Sequence, residues 1–177
     1  MPSVMNNSSF KVQGPKILIL MGSDSDFDIM KKAAKILSDM EVSFELDVCS
    51  AHRTPDRAKK YAEEAEQRGI EVIIAAAGMA AHLAGFIAAH TTLPVIGVPV
   101  ASGALNGFDA LLSTVQMPPG VPVATVGING AENAAYLACE ILSLKYPEIR
   151  DRLKQKRKEM HSKVLEKSEK IKKEFNL

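Results

Sequence analysis

The stretch KILILMGSDSD, residues 16–26, decides the fold of this chain. Its first half is an almost unbroken apolar run, the pattern of a β-strand that is covered on both faces of a parallel sheet. The glycine and short polar residues after it predict a turn. Apolar residues at helical spacing then continue from Phe27 to Met40. A buried strand that passes into a helix begins a βαβ unit, so we expect an α/β fold.

The same alternation of strand and helix continues along the chain. Further strands are predicted at 43–48, 71–77, 94–100 and 121–127, and further helices at 55–69, 80–90, 106–115, 131–144 and 147–175. Strands that alternate with helices predict a three-layer α/β sandwich around a five-stranded parallel sheet, with right-handed crossovers.

We predict three parts: a loose leader at 1–15, one α/β domain at 16–145, and a C-terminal helical arm at 146–177. Helix 80–89 is apolar all round and needs cover on every side, and the arm is longer than one small domain needs. Both features predict an oligomer in which the arm clasps a neighbouring subunit. The alternative is an arm that folds along its own domain or lies free in solvent.

Composition fits one globular domain and excludes disorder as the dominant state, because 46% of the 177 residues are hydrophobic. The net charge of +1 conceals a basic arm, with 12 Lys/Arg against 6 Asp/Glu from Lys145 onward. Glu and Lys interleave along this arm and aromatic residues are few. A solvated helix is therefore favoured, and no nucleic-acid partner is predicted.

Little in the sequence supports a membrane protein, a secreted protein, or one that binds a metal or a nucleotide cofactor. The run VIIAAAGMAAHLAGFIAA (72–89) approaches the length of a membrane span, but it is rich in Ala and Gly and contains a histidine. We interpret it as a buried strand, loop and helix, with no membrane partner. Cys49 and Cys139 form no C-x-x-C pair and no secretory signal is visible, which favours a reduced, cytoplasmic protein. The histidines lack metal-ligand spacing, and no dinucleotide or Walker A motif occurs, so no metal or cofactor is predicted.

Three unusual segments follow strands, at the edge where parallel sheets bind ligands. In the first, MGSDSD (21–26), the Ser23 and Ser25 hydroxyls and the N–H groups of a helix N-terminus suit an anion such as phosphate. Asp26 would accept ribose hydroxyls. The alternative is that Ser25 or Asp26 only caps the helix.

The second segment, SAHRTP (50–55), places an imidazole beside a fixed cation. Histidine is the side chain that most readily accepts and returns a proton near neutrality, so His52 is a candidate proton carrier. Arg53 can hold a phosphate or carboxylate in a bidentate contact.

The third segment is AAAGMAAHLAG (75–85), where Gly78 and the small residues around it let the backbone approach a ligand closely. Taken alone, His82 fits a buried structural histidine better than a catalyst. From the residues alone we predict a small phosphorylated metabolite and proton transfer at His52.

Together these segments resemble one family. MGSDSD, SAHRTPD, AAAGMAAHLAG, LPVIGVPV and GALNGFDALLSTVQMPPGVPVATVGI look, in this order, like the 5-(carboxyamino)imidazole ribonucleotide mutases of purine biosynthesis, over residues 16–158. The resemblance implies a flavodoxin-like fold and an octamer with active sites at subunit junctions. It also implies a cofactor-free isomerisation, in which a carboxylate leaves the exocyclic nitrogen of the ribonucleotide as carbon dioxide and adds to ring carbon 4.

The resemblance also implies roles for residues. His52 would be the proton carrier, Ser23, Asp26 and Arg53 would bind the ribonucleotide, and His82 would line the carbon dioxide pocket with the loop at Gly78. The predicted substrate-binding set, taken from the same motifs, is Ser23, Ser25, Asp26, Ser50, Arg53, Gly78, Ala81, His82 and Leu83.

The chain departs from the family's motifs at two positions, and two alternative functions stay open. The family loop usually reads GGAAHLPG, whereas this chain has Met79 at the second glycine and Ala84 at the proline. Animal-type relatives carboxylate aminoimidazole ribonucleotide directly with carbon dioxide and usually carry Lys after the histidine, so Arg53 favours the mutase. Direct carboxylation is one alternative. The other is a ribonucleotide-binding protein without catalysis.

Overall fold

The computed structural model describes residues 16–175; the predicted leader lies outside the described residues. In chain order the elements are β1 (Ile17–Met21), α1 (Phe27–Asp39), β2 (Phe44–Val48), α2 (Pro55–Glu64), β3 (Val72–Gly78), α3 (Leu83–Ala88), β4 (Val95–Val100), α4 (Phe108–Val115), β5 (Ala124–Thr125), α5 (Ala131–Leu142) and α6 (Pro147–Glu174). A 3₁₀ turn, Asp24–Asp26, precedes α1.

The five strands form one parallel sheet in the order β2-β1-β3-β4-β5, which is the flavodoxin-like order. β1 lies between β2 and β3, with Ile17 opposite both Phe44 and Val72. All five residues of β1 are buried, because side chains that alternate along the strand enter two separate cores. One core packs against α1, α5 and the start of α6, and the other packs against α2 and α3. The predicted three-layer α/β sandwich is confirmed.

Several elements are shorter than predicted. α2 ends at Glu64, five residues before Gly69, because 65–69 form turns. α3 covers only Leu83–Ala88. β5 is reduced to two residues, so most of the predicted strand at 121–127 runs past the sheet edge without pairing. Apolar character predicted burial correctly within α3, but it was wrong along 121–127, where no residue is buried. Hydrogen bonding sets the length of these segments.

α6 has two different parts. Near its start, Ile149 and Leu153 are buried against α5 and the core. From Lys158 to Phe175 every side chain except Ser168 is exposed. The first part therefore folds along its own domain, as in the alternative for the arm, and the second part projects into solvent. Within residues 16–175, no helix has the length and apolar character to cross a bilayer.

Candidate active site

A cavity of about 580 Å³ opens at the carboxyl edge of the sheet, where the loops after β1, β2, β3 and β4 meet. Its lining includes Gly22, Ser23, Ser25, Asp26, Ser50, Ala51, His52, Arg53, Ala77, Gly78, Met79, Ala80, His82, Leu83 and Ser102. These loops belong to four adjacent strands, so the strand order brings together residues up to 80 positions apart in sequence.

The loop after β1 presents short polar groups on a rigid turn. Ser23 caps the 3₁₀ turn: its Oγ accepts the N–H of Ser25 at 3.3 Å, while Asp26 Oδ2 accepts the N–H of Ser23 at 3.1 Å. Asp26 is only 5% exposed, and burial raises the pKa of its carboxyl despite that backbone hydrogen bond. Asp26 thus completes the capping box of the 3₁₀ turn but makes no side-chain capping bond to α1, so the alternative that it only caps the helix is wrong; it also lines the cavity.

The loop after β2 is held by its own polar groups. Thr54 donates its backbone N–H and its hydroxyl to the carbonyl of Ser50, at 2.8 and 2.9 Å. Pro55 follows at the first position of α2, as the sequence predicted. Arg53 reaches across to the β1 loop, where Nη2 donates to the carbonyl of Gly22 at 3.1 Å. This contact aims the guanidinium along the cavity wall beside the serines.

The central feature of the site is a pair of histidines. His52 Nε2 and His82 Nδ1 lie 2.7 Å apart, and the two rings meet edge to face at 85°. A hydrogen bond at this distance needs one ring to donate and the other to accept, so the two nitrogens share one proton. The hydrogen bond to His82 therefore orients the His52 ring within the cavity.

The loops after β3 and β4 supply the apolar side of the cavity. Gly78 packs closely there, because a Cβ on it would lie 2.3 Å from Ser102 Oγ and would displace that hydroxyl. The Ser102 hydroxyl is buried and has no hydrogen-bond partner within the described chain. Ser102 was not among the residues predicted from the sequence. It comes shortly after β4, however, and a position just after a strand is the feature that identified the other three loops.

Nine of the ten predicted site residues line the cavity; Ala81 does not. Ala81 is 3% exposed, and its N–H donates to the carbonyl of Met79 at 2.8 Å, so the turn itself uses this group. Asp109, which was not among the predicted site residues, lies in the first turn of α4 after the Gly107 cap. Its Oδ1 is buried without a partner among residues 16–175.

Neither cysteine lines this cavity. Burial raises the pKa of both thiols, to about 12 for Cys139, which keeps them protonated at neutral pH. Across the part of the chain that the structure describes, no three His, Cys, Asp or Glu side chains are grouped to hold a metal ion.

The arrangement suits a phosphorylated substrate that exchanges protons. Hydroxyls, a turn N-terminus and a guanidinium stand on one side, and alanine, glycine and leucine stand on the other, with the histidine pair between the loops after β2 and β3. Polar groups of the first kind recognise phosphate and ribose. An apolar wall next to a proton carrier favours reactions in which a carboxylate loses its charge.

Known proteins share this chain's sequence and fold. The family described as AIR carboxylase matches residues 16–163. The N5-carboxyaminoimidazole ribonucleotide mutase of Pyrococcus abyssi is 66% identical over 85% of this chain and 86% of its own length, and that of Bacillus subtilis is 55% identical over 89% and 98%. A crystal structure of Treponema denticola PurE, 31% identical, superposes with a TM-score of 0.81 over 89% of this chain and 99% of that one. This chain belongs to the AIR carboxylase family.

Proposed function

We propose that this protein is an isomerase of purine biosynthesis that converts N5-carboxyaminoimidazole ribonucleotide into the 4-carboxylate of aminoimidazole ribonucleotide. The mutase names of relatives that match most of their length support this activity. The observation in the structure that carries it is the His52–His82 pair, 2.7 Å apart at a cavity with one polar and one apolar side.

Protons and bonds balance with no cofactor. The bond from the exocyclic nitrogen to the carboxylate breaks, carbon dioxide forms, and His52 delivers a proton to that nitrogen. Ring carbon 4 then attacks the carbon dioxide, a carbon–carbon bond forms, and His52 takes the proton that carbon 4 loses. The enzyme ends in its starting state, because the proton given in the first step returns in the second.

The remaining residues bind and position the ribonucleotide. We assign the phosphate to Ser23, Ser25 and Arg53, and ribose hydroxyls to Asp26, because these groups share the polar side of the cavity. Ser50 holds the loop that carries His52. Gly78 and Leu83 shape the apolar side, which retains a neutral gas better than a polar wall does, and Ala81 holds the turn between them through its N–H bond to Met79.

A substrate test separates the mutase from its two alternatives. Purified protein receives either freshly generated carbamate ribonucleotide, or aminoimidazole ribonucleotide with bicarbonate, without ATP or metal. A mutase makes product rapidly from the carbamate and slowly from the amine. Activity with the amine alone would indicate a direct carboxylase, and binding without product in both mixtures would indicate a protein that only binds.

We also propose that the protein is a cytoplasmic homo-oligomer, with an octamer as the expected size. α4 and its neighbours leave an apolar surface exposed, formed by Leu105, Phe108, Leu112, Val115 and Ile128. Exposed apolar surfaces of this kind mark contacts between proteins.

Light scattering tests this assembly. Phe108→Glu places a charge in the apolar surface and should give smaller particles than wild type, whereas an unchanged mass would reject this surface as the interface. The arm needs a separate cut after Glu159, because removal of everything after Leu144 would also remove the buried Ile149 and Leu153. Smaller particles after that cut would support a clasping arm, and an unchanged mass would reject it.

A further inference from the structure

Met79 has a backbone that its residue type disfavours. Its φ is +54°, in the left-handed region where glycine is at home and where Asn is the usual exception. Asn106 and Asn129 fit that exception, but methionine has no short polar group to stabilise the conformation locally. Strain of this kind persists where the surrounding structure imposes it, and it concentrates at functional sites.

Packing in the hydrophobic core does not explain why residue 79 is a methionine. Within the single chain the Met79 side chain is 60% exposed, so it adds little to either core. It is nonetheless part of the cavity lining. Its Cγ lies 4.0 Å from the place where a Cβ on Gly103 would stand, so the side chain leans from the loop after β3 toward the loop after β4.

The position of the Met79 side chain relative to the sheet indicates its function. β3 and β4 are neighbours, and the cavity on their side is formed by small or apolar groups together with His82 and Ser102. The polar groups Ser23, Asp26 and Arg53 come from the loops after β1 and β2. Met79 therefore stands on the side of the cavity that is suited to an uncharged guest, and an unbranched thioether adapts its shape to such a guest.

We propose that Met79 is a retention residue: its side chain covers the apolar side of the cavity and slows the escape of carbon dioxide between its release and its recapture. This inference rests on the proposed function and adds to it a residue that controls how often the carboxyl group is lost. It predicts that removal of the side chain changes the fate of the carbon dioxide more than it changes ribonucleotide binding.

The test follows the carboxyl carbon. Carbamate ribonucleotide labelled with ¹³C in its carboxyl group is converted in unlabelled bicarbonate, with carbonic anhydrase present to exchange any gas that escapes, and mass spectrometry measures the label in the product. Met79→Gly and Met79→Ala are compared with Met79→Leu, which keeps an apolar side chain of similar volume. Glu41→Gly is the matched backbone control, because Glu41 has φ +52° far from the cavity.

We expect wild type, Met79→Leu and Glu41→Gly to retain the label alike. Met79→Gly and Met79→Ala should give an unlabelled fraction at least about threefold larger, a change of ~0.7 kcal/mol in the partition between recapture and escape. Thermal unfolding checks that each variant folds, and the alanine variant carries the test if the glycine variant does not fold.

Equal label retention in the glycine, alanine and wild-type proteins would overturn the inference. A smaller assembly with unchanged retention would overturn it as well, because Met79 would then serve a contact between subunits. Failure of the proposed function looks different: wild-type protein then makes no product from the carbamate at all.

Discussion

The two edges of the sheet hold carboxyl groups whose pKa values are shifted in opposite directions. At the amino edge, Glu71 accepts hydrogen bonds from Lys145 at 3.1 Å and Tyr146 at 2.5 Å, and Lys16 lies 3.1 Å away. Burial opposes ionisation of Glu71, but these partners outweigh it and lower its pKa. At the carboxyl edge, burial raises the pKa of Asp26, and its hydrogen bond to the Ser23 backbone does not compensate.

The contacts at the amino edge stabilise the fold, whereas the carboxyl edge carries the candidate active site. The amino edge satisfies its charges within the chain, and its contacts join the start of β3 to the segment that leads into α6. The carboxyl edge keeps a penalised carboxylate, a buried hydroxyl without a partner in the described chain and a methionine in a left-handed conformation. Such features lower the free energy of unfolding and are retained where a ligand meets them.

Substitutions in the histidine pair should have the largest effect. We expect His52→Asn to lower turnover by about 10³-fold or more while the product still binds, because the proton carrier is gone and the phosphate contacts remain. His82→Asn should lower turnover less. The double variant should equal His52→Asn, since residues that act as one unit are not additive.

Steady-state kinetics and product binding by calorimetry measure these effects. His90→Asn is the matched control, because His90 bonds the carbonyl of Phe86 at 2.8 Å outside the cavity. Turnover of His52→Asn close to that of His90→Asn would contradict the role of His52.

Asp26→Asn should weaken substrate binding without lowering the free energy of unfolding, unlike most substitutions of buried residues. We expect substrate binding to weaken by about 100-fold, from the loss of charged contacts to ribose. Stability at neutral pH should not fall, because the raised pKa of Asp26 makes its ionised form unfavourable in the native state. Denaturant unfolding at pH 7 tests this, and a marked loss of stability would show that the carboxylate stabilises the fold.

Glu71→Gln should affect stability alone. We expect the free energy of unfolding at pH 7 to fall by about 1–2 kcal/mol, because three donors lose a charged acceptor. The folded-state pKa of Glu71 lies below the ordinary 4.5, so its contribution is present above that pH and is lost as the pH falls through the lowered pKa. Unfolding curves from pH 7 down to about 3 should therefore converge for variant and wild type; a constant gap would contradict this assignment.

Ser102→Ala should have the smallest effect. Removal of a hydroxyl that makes no hydrogen bond within the described chain should leave the free energy of unfolding within about 0.5 kcal/mol of wild type. If the hydroxyl meets the substrate, KM should rise about three- to tenfold with little change in kcat. An unchanged KM would show that Ser102 serves only to pack against Gly78.

The sequence predicted the sheet and the edge that carries the site, because a buried strand followed by a short polar turn is a local signal. It did not predict the His52–His82 contact, since that contact depends on β1 lying between β2 and β3. The amino-edge cluster was missed for the same reason: Lys16, Glu71 and Tyr146 meet only after the strands are ordered. The lengths of α3 and β5 depend on hydrogen bonds that apolar patterning does not encode.

The most direct test compares one variant from each edge in a single reaction. Wild type, His52→Asn and Glu71→Gln, at equal folded concentration, receive freshly generated carbamate ribonucleotide without ATP, metal or bicarbonate, and the 4-carboxylate is measured over time. We expect wild type and Glu71→Gln to form product at similar rates while His52→Asn forms almost none. Near-normal product formation by His52→Asn, or none by wild type, would contradict it.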